Sequence, residues 1–268
     1  MEIKYVDAHC HMQFEEYSHD QKEMLEKMRG NGVAGIVVGV DYESSIKAVE
    51  LAEKHEHIFA SIGLHPNCVN KEDFDLNKYR ELAKHPKVVA IGECGLDYFR
   101  HGEVNEEIKR AQSEVLRAHL ALADELDKPL IIHARPSKGT MDAYHELSNI
   151  LQKTRMDSPK LRGDVHFFVG GILEAKELIN LGFTVSFTAV ITFARDYDEV
   201  IKAVPLASIL SETDSPYVAP VSRRGKRNDP LAVTDVVAKI AEIRGEPVET
   251  VRTAIFSNIK RLFALPTL

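Results

Sequence analysis

The sequence predicts an α/β fold, a single-domain (β/α)8 TIM barrel. Three observations lead there. Eight short runs rich in β-branched residues alternate with helical stretches along the 268 residues, and that alternation implies a parallel sheet. Several runs are apolar at consecutive positions (GIVVGV, VVAIG, PLIIH), as strands covered on both faces are. No G-x-G-x-x-G follows the first run, which disfavours a doubly wound sheet, the alternative. One barrel uses about this length. No repeat, low-complexity segment or linker divides the chain, so 1–268 is read as one domain.

Strands are expected at 3–9, 33–40, 58–64, 88–93, 130–133, 164–168, 183–187 and 208–212. Helices are expected between them, near 20–29, 43–56, 76–84, 105–126, 140–151, 173–181, 196–204 and 231–244, with a last one at 248–263. In the fourth, Ile108, Ala111, Val115, Ala118 and Leu122 recur at helical spacing and define its expected buried face. Asp73 and Asp196 are candidate caps, and Pro247 suits the opening of the last helix. The stretch 217–230, rich in Pro and basic residues, reads as a loop.

Hydrophobic residues make up 44% and charged residues 28%. That excludes intrinsic disorder and a disulfide-stapled miniprotein. Cys10, Cys68 and Cys94 are too few and scattered for a disulfide framework or Cys-rich zinc site. They fit a reducing, cytoplasmic setting. The opening MEIKYVDAHCHMQF lacks the pattern of a secretory signal, and no apolar run approaches the ~20 residues of a membrane span. A net charge of −7 argues against a surface that coats nucleic acid, but says nothing of a local pocket.

The chemistry starts at Asp7-Ala-His9-Cys10-His11. On extended backbone, residues two apart point the same way, so His9 and His11 project together and Cys10 points away. Two such imidazoles suit a divalent metal, although the motif alone also fits a surface histidine pair. The fourth strand ends in Glu93, the fifth in His133 and the eighth near Asp214; the sixth carries His166 where its apolar run starts. Parallel barrel strands end on one face, and the active site lies there. His9, His11, Glu93, His133, His166 and Asp214 should therefore meet at one mouth. Each alone fits a polar strand cap; the six together supply enough ligands for two metals with a bridging carboxylate. Glu212 faces the mouth by alternation and is expected to support the site. Cys10 and Cys94 alternate away from the ligands and read as small buried apolar residues. The histidines at 19, 55, 57, 85, 101, 119 and 145 read as surface or packing residues without partners.

The chain resembles the TatD family of metal-dependent deoxyribonucleases, within the amidohydrolase-type barrels. The resemblance covers essentially the whole chain. It is carried by D-A-H-C-H at 7–11, G-L-H-P at 63–66, I-G-E-C-G-L-D-Y at 91–98, P-L-I-I-H-A-R at 129–135, H-F-F-V-G-G at 166–171, and E-T-D-S-P-Y-V-A-P with R-G-K-R-N-D-P at 212–230. It implies one metal held by His9, His11, Glu93 and Asp214. It implies a second held by Glu93, His133 and His166, with Glu93 bridging. Two departures stand out. His166-Phe-Phe-Val-Gly170 replaces the usual H-C-F-S-G, and His133-Ala-Arg-Pro136 replaces the usual H-[SC]-R-D. Neither removes a ligand; the acid absent at Pro136 and the hydroxyl absent at Val169 bear on the pocket rim.

His65, in the G-L-H-P match, is expected to reach the mouth and donate to a phosphate oxygen. Arg135 points the same way as His133, and suits either a fork to a phosphate or a buried carboxylate pair. Arg223, Arg224, Lys226 and Arg227 give four cations within five positions just beyond Asp214. A charge run is usually a solvated loop, yet at this mouth in an acidic protein it suits a polyanion. The resulting expectation is a cytoplasmic, monomeric phosphodiesterase acting on nucleic acid, with catalysis by Asp214 and Glu93. Substrate contacts are expected from His65, Arg135, Arg223 and Arg224. The resemblance implies 3′-exonuclease action on single-stranded DNA with two divalent ions, Mg²⁺ or Mn²⁺; the histidine-rich ligand set accepts Zn²⁺ equally. The barrel also suits hydrolysis of another bond, such as an aminoacyl-tRNA ester. A nucleic-acid-binding protein with a vestigial site would have lost one of the six ligands, and none is lost.

Overall fold

The computed structural model describes residues 2–99 and 105–266. Eight strands pair in parallel in sequence order: β1 (Tyr5–Cys10), β2 (Val33–Val38), β3 (Ile58–Ile62), β4 (Val88–Asp97), β5 (Leu130–Arg135), β6 (Gly163–His166), β7 (Phe183–Phe187) and β8 (Ile209–Ser211). The helices α1 (Gln21–Gly30), α2 (Tyr42–Lys54), α3 (Leu76–Ala83), α4 (Glu106–Glu125), α5 (Asp142–Asp157), α6 (Ile172–Asn180) and α7 (Asp198–Ala203) connect them. After β8 come α8 (Val233–Arg244) and α9 (Val248–Leu262). Every residue of β2 and β3 is buried, because helices cover one face and the barrel interior the other.

The barrel nearly closes between β1 and the segment after β8. Cys10 bridges Ser215 in parallel. Asp214 N donates to His9 O at 2.9 Å, and His11 N donates to Ser215 O at 2.8 Å. Asp7 staples the same seam from within: its carboxylate accepts from Thr213 N at 2.9 Å and Thr213 Oγ1 at 2.6 Å.

Three local expectations change. β4 does not stop at Glu93 but pairs with β5 through Asp97↔Arg135. Gly95 permits this: a Cβ there would lie 1.9 Å from His133 O, so only glycine lets the strands pass. β6 ends at His166, which therefore closes its strand rather than lying within one that runs to 168. The buried face of α4 is Gln112, Leu116, His119, Leu120, Leu122 and Ala123, displaced from the apolar stripe. Two of these are polar and have backbone partners. Gln112 accepts from Asp97 N at 2.9 Å and donates to Asp97 O at 3.2 Å. His119 accepts from Leu64 N at 3.0 Å and donates to Val115 O at 2.8 Å, so it does have partners. A hydrophobic period passes over such positions.

Asp75 caps α3, accepting from Asn77 N and Lys78 N, in place of Asp73. The residue at the N-cap of α7 is Tyr197 rather than Asp196. Pro247 stands at the N-cap of α9. His57 is buried against Leu25 O, His85 accepts from Lys87 N, and His101 lies outside the described residues. Among the described residues no helix is long and apolar enough to cross a membrane.

Candidate metal centre

The six side chains expected at the strand ends converge. Glu93 divides its carboxylate between two groups. Oε1 lies 2.8 Å from His166 Nε2 and 3.1 Å from His133 Nδ1, and those two nitrogens are 3.2 Å apart. Oε2 lies 3.4 Å from His9 Nε2 and 4.0 Å from His11 Nε2. His9 Nε2 and His11 Nε2 are 3.2 Å apart, and Asp214 Oδ1 is 3.3 Å from His11 Nε2 and 3.8 Å from His9 Nε2.

Five of these spacings, from 3.1 to 3.4 Å, fit cations. Ligands ~2.1 Å from a divalent ion are separated by roughly 3.0–3.4 Å along the edges of an octahedron or tetrahedron. The donor set, mixed imidazole and carboxylate, suits Zn²⁺, Mn²⁺ or Mg²⁺. His9, His11 and Glu93 form one cluster able to hold a metal, and Glu93, His133 and His166 another.

Each of the four imidazoles faces an oxygen from behind. His11 Nδ1 donates to Val38 O at 2.8 Å. His133 Nε2 faces Asp97 Oδ2 at 3.2 Å. The His9 and His166 rings stack with centroids 3.9 Å apart. Their Nδ1 atoms face Glu212 Oε2 at 3.8 and 3.6 Å. Glu212 itself is held by Phe167 N, which donates to Oε1 at 2.5 Å. Asp214 and Phe167 adopt φ of +52° and +45°, so the turns after β8 and β6 carry backbone that non-glycine residues seldom take.

The electrostatics follow the packing. Burial would raise Glu93, but His166, His65 and His9 outweigh it and hold the carboxyl well below the usual range. Burial opposes the charged form of Asp214 too, yet its hydrogen bond with His11 and the charges of His9 and His11 keep its pKa low. Burial lowers His9. At His166 the same burial is overcome by Glu93 and Glu212, which raise it well above the ordinary value.

Above the cluster opens a cavity of about 640 Å³, lined by His11, His65, Glu93, His133, His166 and Asp214. Arg135 and Lys71 supply cations at its wall, and Phe14, Tyr217 and Val169 supply apolar surface. The guanidinium carbon of Arg135 sits 4.2 Å from the Phe99 ring centroid. The loop after β8 starts at the mouth, with Tyr217 and Val218 in the lining. Its basic half does not line the cavity. Arg223 pairs with Asp229, Arg224 lies 4.1 Å over Phe193, and Arg227 pairs with Asp20 at 2.5 Å. Cys10 and Cys94 are buried, donating weakly to Ile36 O and Ile131 O.

Sequence reasoning missed Asp97 and Lys71. Asp97 lies on the same face of β4 as Glu93, four positions on, so alternation along a longer strand was the available signal. Lys71 carries no signal of its own.

A parallel barrel whose strand ends gather four imidazoles and two carboxylates beneath an open cavity is the architecture of a metal-dependent hydrolase. The chain belongs to the TatD family: the model for TatD related DNases matches residues 6–264. The chain is 36% identical over 263 residues to YabD, an uncharacterized metal-dependent hydrolase of Bacillus subtilis (strain 168), covering 97% of this chain and 98% of that one. It is 34% identical over 265 residues to the uncharacterized metal-dependent hydrolase YcfH of Escherichia coli (strain K12), covering 96% and 95%. Among solved structures, the TatD homologue YjjV of Escherichia coli K12 superposes with a TM-score of 0.88 at 31% identity, covering 99% of this chain and all of that one.

Proposed function

We propose that this hydrolase is a phosphodiesterase that removes nucleotides from the 3′ end of single-stranded DNA, as a cytoplasmic monomer using two divalent ions. The observation that carries the reading is Glu93, one oxygen at 2.8 Å from His166 and the other at 3.4 Å from His9. A carboxylate shared in this way suits a bridging ligand. The family's description as DNases and the cations at the cavity wall support a nucleic-acid substrate.

In this reading His9, His11, Asp214 and Glu93 would hold one ion, and Glu93, His133 and His166 the other. Two such ions, Mg²⁺ or Mn²⁺ with Zn²⁺ equally accommodated, would supply acidified water and charge neutralisation on the phosphoryl oxygens. Asp214, whose side chain keeps 13% exposure at the cavity, accepts a proton from the attacking water. As the new P–O bond forms and the bond to the 3′ oxygen breaks, it returns that proton to the leaving oxygen. The products are a shortened strand with a 3′ hydroxyl and a 5′-mononucleotide. His65 and Arg135 hold phosphoryl oxygens. Arg223 and Arg224, beyond the cavity lining, meet phosphates further along the strand.

End-labelled single-stranded DNA incubated with Mg²⁺, Mn²⁺ or Zn²⁺, beside a chelated control, tests this. Stepwise loss of 3′ nucleotides, dependent on metal, is expected. Hydrolysis of an aminoacyl-tRNA ester with no cleavage of DNA would overturn it and move the activity to another bond.

A further inference from the structure

The turn that carries Asp214 holds two residues in left-handed backbone, Asp214 at φ +52° and Val218 at φ +54°. Neither is glycine, so this conformation costs energy and lasts only where neighbouring groups fix it. The turn also bears on the site. Asp214 Oδ1 stands 3.3 Å from His11 Nε2, and Val218 lines the cavity.

One residue ties the turn together from the far end of the loop. Asn228, directly after the basic run, is fully buried. Its Nδ2 donates to Thr213 O at 3.2 Å and to Val218 O at 3.3 Å. Those carbonyls belong to the residue before the first left-handed position and to the second such position itself. The backbone N of Asn228 donates to Pro216 O, between them, at 2.9 Å. Thr213 is a fixed point, because Asp7 on β1 accepts from both its N and its Oγ1. The contact requires an amide. Carbonyls only accept; a carboxamide brings two N–H donors on one nitrogen, and a carboxylate brings none.

Asn228 is held in turn from outside the loop. Tyr17, between β1 and α1, donates from its hydroxyl to Asn228 O at 2.8 Å. Arg227 lies 4.4 Å over the Tyr17 ring and pairs with Asp20. The segment after His11 and the segment after Asp214 are thus registered against each other through Asn228.

We infer that Asn228 is the positioning residue for Asp214: its carboxamide clasps the left-handed turn and sets where the Asp214 carboxylate stands against His9 and His11. The consequence for metal binding rests on the reading of Asp214 as a ligand. The consequence for the turn does not.

Hydrogen exchange in the metal-free protein reads the turn. Asp214 N donates to His9 O and Tyr217 N to Asp214 O, both at 2.9 Å. Asn228→Ala should speed exchange at these amides by ~10–30-fold, the effect of about two lost hydrogen bonds, and leave the amides of β2 to β6 within about twofold. Tyr17→Phe removes only the bond to Asn228 O. It should act in the same direction by ~3–10-fold, and it decides the matter if Asn228→Ala does not fold. Unchanged exchange at both amides, or an equal increase across the barrel, overturns the inference. Zn²⁺ titration by calorimetry reads the centre. Asn228→Ala should weaken binding by ~10–100-fold. In the Asp214→Asn background the same change should cost nothing further, because a residue that acts through Asp214 has no second route. Additive losses overturn the inference. Wild-type affinity in Asp214→Asn would instead remove Asp214 from the ligands of the proposed function, and the exchange rates would still decide the role of Asn228.

Discussion

Asp97 Oδ2 lies 3.2 Å from His133 Nε2, on the opposite edge of the ring from the Glu93 oxygen that His133 Nδ1 faces at 3.1 Å. A carboxylate behind an imidazole fixes the ring's tautomer and raises its basicity as a ligand. Asp97 is itself locked: Asn67 Nδ2 donates to it at 2.9 Å, and Gln112 from α4 brackets its backbone. Asp97→Asn keeps the shape and removes the charge. It should weaken metal binding, or lower activity, by ~10–100-fold with the fold intact. Metal titration followed by calorimetry, with circular dichroism as the control, checks this; wild-type affinity would remove Asp97 from the centre's support.

Asp214→Asn tests the proton transfer. Loss of a positioned acid–base group costs ~10²–10⁴ in rate, and loss of a ligand charge adds to it. The backbone hydrogen bond from Asp214 to His9 survives the change, so the melting temperature of the metal-free protein should stay close to that of the wild type. Near-normal turnover would assign the proton transfer to another group.

His119 ties stability to pH. Buried on the inner face of α4, it is pushed down to about 4 by loss of solvation. The unfolded chain takes up the proton near the ordinary value of 6.5 while the folded protein stays neutral. Stability from this group is therefore full above about 6.5 and falls as pH drops, until the loss levels off near 4. The total is on the order of 3 kcal/mol. His119→Gln keeps an acceptor for Leu64 N without the titration. Urea denaturation at several pH values should show a shallower acid-side decline in the variant than in the wild type. Parallel declines would mean that His119 titrates normally.

Arg223 and Arg224 lie outside the cavity lining, one paired with Asp229 and the other stacked on Phe193. Only a substrate that extends beyond the cavity can meet them. Replacing both with Ala should raise KM for an oligonucleotide and flatten its salt dependence, by ~0.7 in log–log slope for each phosphate that no longer meets a cation. Hydrolysis of bis(4-nitrophenyl) phosphate should stay nearly unchanged. Equal loss on both substrates would show that the arginines support the centre, and no change on either would leave them as solvated loop.

Much of this was legible in the sequence because it is local. Apolar runs and helical periods mark the strands and helices residue by residue, and alternation puts His9 and His11 on one side with Cys10 on the other. A barrel carries every strand end to one face, so the fold alone brings Glu93, His133, His166 and Asp214 together. Positions that bury a polar group break the pattern, as Gln112 and His119 do on α4. Their distant partners are backbone atoms of β4 and of the turn after β3, which no local window contains. The same reason hides the centre's finer chemistry. His11, His65 and His133 are the same residue type at strand ends. Which nitrogen of each ring carries the proton is set by what stands behind it: Val38 O for His11, Asp97 for His133 and Asn67 N for His65. By itself the sequence determined which side chains meet. Only the tertiary structure decided which way each one is polarised, because a hydrogen-bond partner across the barrel is fixed by packing and not by spacing along the chain.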